Sequence, residues 1–189
     1  MKILIFLLIA ILNFELFAQN SLKDPFENTY GLDTVDFNRF DTALFIKCFV
    51  DLCNQERLDL DGKSLKLSTY GACAAQFHSD YNSETDILEH IQSQSFKGLT
   101  LKTPESRLKH FSKGKNLTFL GEIISKSHFN NPMTYQFLAK KIFRMYFMSE
   151  GHRKAILSHI NKNVNISSGI NISKENGSIV FHTCFVFFE

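Results

Sequence analysis

Three side chains in this sequence carry the chemistry worth following: His90, at the end of Ile87-Leu88-Glu89-His90; Glu122, within Leu120-Gly121-Glu122-Ile123; and His152, within Met148-Ser149-Glu150-Gly151-His152-Arg153. Brought together from three turns, they would form a small polar cleft. Two imidazole nitrogens and a carboxylate oxygen suit a divalent metal, and zinc held by two histidines and a glutamate with one open position is a known catalytic arrangement. Such an ion lowers the pKa of bound water and supports hydrolysis. The compact His-Glu-x-x-His spacing that would make zinc a strong signal is absent. The competing reading is a hydrogen-bonded structural cluster, in which Glu122 orients an imidazole and Arg153 neutralises the carboxylate. Nucleophilic catalysis has less support. Ser149 precedes His152 by three residues, but a serine just before Gly151 suits a helix end, and no Gly-x-Ser-x-Gly elbow occurs. The four cysteines, Cys48, Cys53, Cys73 and Cys184, all fall at apolar positions, so an exposed thiolate is not expected.

The elements that must position these groups are read from periodicity. From Asp41 to Arg57, Leu44, Phe45, Cys48, Phe49 and Leu52 recur at spacings of three and four, a helical stripe capped by Asp41. Asp61-Gly62 marks a turn. A second helix is expected from Ser68 to Asn82, with Ser68 as its cap and Ala72, Ala75 and Ser79 as a small-residue face. His78 within it reads as a half-buried packing histidine or a solvent residue rather than a ligand. Glu84 to His90 reads as a helical continuation. Residues 91–116 are polar and lysine-rich, a long surface loop with a short helix from Glu105 to Phe111. Leu117 to Leu120 is a short apolar run that delivers Glu122. A helix from Thr134 to Met148 follows, with Pro132 near its first turn and Gly151 as its stop. Its buried side is Phe137, Leu138, Ile142, Met145 and Tyr146; its wet side is Lys140, Lys141 and Arg144. Lys154 to Leu157 adds a turn. The chain closes with β-rich runs from Ile166 to Ser173 and from Ser178 to Phe187. Asn176-Gly177 between them is a hairpin signal. Both faces of the last run are apolar, which calls for helices on both sides of the sheet.

Bulk properties narrow the function classes. Lys2, the apolar run from Ile3 to Phe17 and the small residue Ala18 read as a secretory signal, residues 1–18, followed by a lead-in over 19–40 and one domain over 41–189. No stable membrane span is expected after cleavage. A net charge of +2 without a basic block argues against nucleic acid and anionic membrane surfaces as partners. An exported chain permits disulfides, and free buried thiols compete with a single bridge from a helix to Cys184.

Taken in order, several fragments resemble the CAP superfamily of cysteine-rich secretory proteins, antigens and pathogenesis-related proteins, in its short bacterial SCP-like branch. They are Asn54-Gln55-Glu56-Arg57; the block from Leu65 to His90 with Ala72, Ala75 and His78; Gly121-Glu122-Ile123; Tyr146-Phe147-Met148-Ser149-Glu150-Gly151-His152-Arg153; and Gly169-Ile170 with the final strand. The resemblance covers about residues 41–187. Departures are an isoleucine after the glutamate, Tyr146 for tryptophan, Glu150 for proline and Ala155 for asparagine. The resemblance implies an α+β fold, an α-β-α sandwich around a central antiparallel sheet. It also implies a cleft of two histidines and two acids. His90, His152 and Glu122 match three of these. Ser149 stands at the second acid, and the neighbouring Glu150 can restore a carboxylate. Together with Arg153 they are the expected cleft residues, with zinc at His90, Glu122 and His152 as the possible cofactor. The expected role is that of a secreted, monomeric, non-enzymatic module for a small ligand, a lipid or a cell-surface partner. A metal-dependent hydrolase, or an interaction module with a purely structural cleft, are the alternatives.

Overall fold

The computed structural model describes residues 30–189, and Gly31–Glu189 form one compact unit. The signal segment 1–18 and most of the lead-in lie outside the described residues. The described lead-in joins the unit: Val35 donates its N–H to the Met133 carbonyl, and Phe40 packs on Phe45, Tyr135 and Phe181.

Helix α1 spans Thr42–Leu58, with Asp41 accepting from the Leu44 N–H as its cap. The expected stripe is buried apart from Leu44, and so are Cys53 and Arg57. Arg57 is more than a polar helix end. Its guanidinium donates to the carbonyls of Lys63, Ile156 and Ser158, tying three chain segments together. Gly62 is required in the turn that follows, because a Cβ there would lie 2.1 Å from Ile160 Cγ1. After the two-residue strand β1, Lys66–Leu67, helix α2 runs over Ala72–Thr85. Its N-cap is Gly71 without a side-chain cap, not Ser68. It stops at Asp86, which takes a left-handed conformation (φ 56°), so the segment up to His90 is a loop rather than more helix.

Helix α3, Pro104–Phe111, begins with a reciprocal capping box between Thr103 and Ser106 and a proline in its first turn. Strand β2, Phe119–Phe129, is far longer than the apolar run that announced it. Helix α4, Tyr135–Met148, is capped by Thr134, which leaves Pro132 outside it. Helix α5, Glu150–Leu157, follows after Ser149 alone; Gly151 lies inside α5 and stops nothing. Strands β3, Asn165–Glu175, and β4, Ser178–Phe188, form the expected hairpin. Asn176 and Gly177 both have positive φ (48° and 82°), the pair a type I′ turn demands.

The sheet order is β1-β3-β4-β2. Its three long strands are antiparallel, and the short β1 joins β3 in parallel. Odd-numbered residues of β4 face α1 and α4: Phe185 stacks on Phe49 at 4.1 Å, and Phe181 meets Phe45 edge-on. Even-numbered residues face α2 and α3, where Cys184, Val186 and Phe188 pack with Ala75 and Leu108. The result is an α-β-α sandwich. On the outer side of β3, Gly169 lets the α2 backbone press close, since a Cβ there would fall 2.2 Å from Gln76 N. Gln76 then exchanges two hydrogen bonds with the Ile170 backbone (2.9 and 3.0 Å), acting as a one-residue stand-in for a strand partner.

Candidate functional site

Glu122 sits on β2 opposite Val186, so its side chain points to the α2/α3 face and is buried. A carboxylate taken out of water needs a counter-charge, and Arg107 of α3 supplies it. Its Nη2 donates to both Glu122 oxygens at 3.0 and 2.9 Å, and also to the His90 carbonyl at 3.0 Å. His90 Nδ1 lies 3.0 Å from Glu122 Oε1, and Cys184 Sγ donates to Oε2 at 3.5 Å. His78 completes the group. It is fully buried, with Nε2 3.6 Å from Glu122 Oε1 and Nδ1 3.1 Å from Gln92 Nε2. Nε2 is thus turned toward the carboxylate without a hydrogen bond to it.

The loop that carries His90 is pinned independently. Glu89 accepts from the Tyr81 hydroxyl and the Ser93 N–H, both at 2.8 Å, while Tyr81 stacks on His78. His90 is thereby held over Glu122 with its side chain still half exposed.

The electrostatics follow from this geometry. Burial pushes the Glu122 carboxyl up, but the His90 hydrogen bond and the Arg107 charge lead the causes that outweigh it, and the net shift is downward. Burial pulls His78 down to about 4, against the opposing pull of Glu122, so it is neutral near pH 7. The Cys184 thiol is pushed up by burial and by Glu122, which keeps it protonated.

The remaining expected residues do not join this group. His152 lies at the other layer, its ring 5.0 Å from Tyr146 and 6.4 Å from His90, and it makes no hydrogen bond or ion pair with Glu122. Burial, then the proximity of His90, lowers its pKa. The reason for the separation is strand parity. Tyr146 bonds Thr183 on the α1/α4 face, whereas Glu122 points to the opposite face. Glu150 is exposed and pairs with Lys154 at 2.7 Å, so it does not restore a cleft carboxylate. Arg153 donates to the Phe147 carbonyl and stands over its ring; the neutralising role expected of it belongs to Arg107. Ser149 joins α4 to α5 through its backbone, and its hydroxyl makes no capping bond. All four cysteines are free, and Cys73 is exposed rather than buried.

Arg107, His78, Gln92 and Cys184 were not among the expected cleft residues. One signal pointed to Arg107. It is the single arginine among the lysines of residues 91–116, and arginine is the cation suited to buried pairing with a carboxylate.

The zinc set fails a test of fit. Both oxygens of Glu122 are taken by a guanidinium, whose charge opposes a second cation beside it. Among the described residues, no three histidine, cysteine, aspartate or glutamate side chains are arranged to hold a metal ion. His90 and Glu122 do form an oriented imidazole–carboxylate pair, but no hydroxyl or thiol is hydrogen-bonded to His90 among the described residues.

Comparison with known proteins agrees at the level of fold. No protein-family model matches the chain, and no curated protein matches it. Among solved structures, an outer surface protein from Borrelia burgdorferi is similar over 78% of this chain and 95% of its own, with a TM-score of 0.53 and 13% identity. Weaker matches are an extracellular SCP-domain protein from Bacillus anthracis (TM-score 0.45, 19% identity, 74% of this chain and 39% of that one) and the CAP domain of enterococcal PrgA (TM-score 0.39, 14% identity, 81% and 65%). The shared fold is an α-β-α sandwich around a largely antiparallel sheet.

Proposed function

We propose that the chain is an exported, non-enzymatic CAP-like binding module in which Glu122 holds the cleft together. The supporting observation is the occupancy of the Glu122 carboxylate: Arg107 takes both oxygens and His90 and His78 crowd one of them. A metal-dependent hydrolase needs that carboxylate free to bind an ion or move a proton. A module needs only its shape, which leaves the half-exposed His90 and His152 as the polar groups a ligand would meet. Export rests on the N-terminal leader pattern. The description of the similar Borrelia structure as an outer surface protein is in keeping with it.

The test is calorimetric titration of the chelator-treated chain with zinc, beside His152→Ala and Glu122→Gln, together with a peptide-library turnover assay with and without the metal. Expected are no stoichiometric zinc uptake and no turnover. Tight one-to-one binding that both substitutions abolish would overturn the reading and restore the hydrolase.

A further inference from the structure

Helix α4 was expected to turn Phe137 and Met145 inward. Instead its buried side is Tyr135, Leu138, Ala139, Ile142, Phe143 and Tyr146. Phe137 is 51% exposed, Met145 39% and Met148 85%, so three large apolar side chains are presented to solvent. Lys141 and Arg144 are exposed between them. At 3.6 residues per turn, these five positions fall within an arc of about 100° on one side of the helix. The Lys141 ammonium stands 5.2 Å over the Phe137 ring and 5.8 Å over that of Phe129, so cation and apolar groups share one surface. The helix holds Lys140, Lys141 and Arg144 and no acidic residue. None of the three cations is in an ion pair among the described residues. The near-neutral balance of the whole chain hides this local excess of positive charge.

We propose that the exposed face of α4 docks the folded domain on an anionic phospholipid surface. Interleaved large apolar and basic side chains on one helix face, without carboxylates, match the interface of a bilayer: the apolar groups enter below the headgroups while lysine and arginine extend to the phosphates. A protein partner fits less well, since charged side chains are depleted from the centres of protein interfaces, and here Lys141 stands near the centre of the arc with Arg144 at its edge. This inference is independent of the cleft reading. No helix among the described residues is long and apolar enough to cross a membrane, so contact would be peripheral.

The experiment is cosedimentation of the chain beginning at Gln19 with vesicles of phosphatidylcholine alone and of equal parts phosphatidylcholine and phosphatidylglycerol. Starting at Gln19 keeps the apolar run of residues 3–17 from binding lipid itself. Binding is expected on the mixed vesicles and not on phosphatidylcholine, and it should weaken as salt rises. Each basic residue at an anionic surface contributes roughly fivefold in partitioning, so Lys141→Gln with Arg144→Gln should lower binding about 25-fold and Lys141→Glu with Arg144→Glu by more. Phe137→Ser with Met148→Ser should weaken it as well. All are exposed positions, and an unchanged circular dichroism melt would show each variant folded. The proposal is overturned by no binding to the mixed vesicles, by equal binding to phosphatidylcholine alone, or by binding that none of the variants changes. Self-association removed by the same substitutions, without lipid binding, would equally overturn it and assign the face to a second copy.

Discussion

The two faces of the sheet solve the burial problem by different chemistry. Against α1 and α4 the sheet packs aromatic rings: Phe45, Phe49, Phe181 and Phe185 are wholly buried, with Tyr146 beside them. The polar groups there are few and paired, as in the Tyr146–Thr183–Ser125 hydroxyl chain. Against α2 and α3 the apolar cluster is smaller, and a buried carboxylate, guanidinium and imidazole sit beside it. A ring layer contributes through area and dispersion and is insensitive to pH. A buried ion pair contributes little net stability, yet is costly to break on one side only. The first face therefore supplies stability, and the second fixes where loop 86–93 and α3 must lie.

The largest effects should come in a pair, one on each face. Arg107→Ala leaves Glu122 buried without its counter-charge and should cost about 3–5 kcal/mol in urea unfolding. Phe49→Ala on the aromatic face should cost about as much through lost burial and the cavity left behind. The two losses differ in how they can be repaired. Adding Glu122→Leu to Arg107→Met should recover most of the loss, because an apolar pair needs no counter-charge. No second-site change of polarity should rescue Phe49→Ala. If the double variant is no better than Arg107→Ala alone, the clasp holds the fold by more than charge balance.

Acid should separate the faces next. His78 has its folded pKa depressed to about 4, so between pH 4 and its ordinary value the unfolded chain binds the extra proton and folding loses stability as pH falls. Glu122, with its folded pKa also lowered, adds in the same direction: its contribution is present above the unfolded value and is lost as pH falls through the folded one. Lowering the pH from 7 to 4 should cost on the order of 3 kcal/mol through His78 alone. Denaturant midpoints measured across that range check the slope. His78→Gln should flatten it, whereas Phe49→Ala should shift the whole curve and leave its slope intact.

A smaller effect is expected at the sheet edge. Gly169→Ala puts a methyl group where α2 backbone already stands, at 2.2 Å, and neither layer can yield without disturbing the Gln76–Ile170 pairing. Overpacking of this kind typically costs about 1–3 kcal/mol, read as a lowered denaturant midpoint.

The aromatic face was legible because its information is periodic. The three-and-four spacing of Phe45, Cys48 and Phe49 and the alternation of Phe181, Thr183 and Phe185 state which side is buried before any fold is known. The hairpin was legible for a local reason, since Asn176-Gly177 supplies the two left-handed residues the turn needs. The polar face was only half legible. Glu122 and His90 could be named, but their partners come from elements with no shared period: Arg107 from a short helix inside a polar stretch and His78 from the middle of α2. The helix ends misled for a related reason. Gly151 looked like a stop, but the chain had already turned at Ser149, and Asp86 took the left-handed position that α2 needed without a glycine.

Two glutamates mark the extremes, Glu150 the smallest effect and Glu122 one of the largest. Glu150 stands beside the histidine that motif order placed in the cleft, yet its carboxylate is 72% exposed and its partner Lys154 is 75% exposed. A pair at that exposure, four residues apart on one helix, contributes about 0.5 kcal/mol or less, and added salt screens it. Glu150→Ala should therefore leave the denaturant midpoint almost unmoved and the acid limb in place, while Glu122→Ala, which strands a buried guanidinium, should move both. A large loss from Glu150→Ala would mean that its side chain reaches the cleft in solution, and that the second carboxylate implied by the motif is present after all.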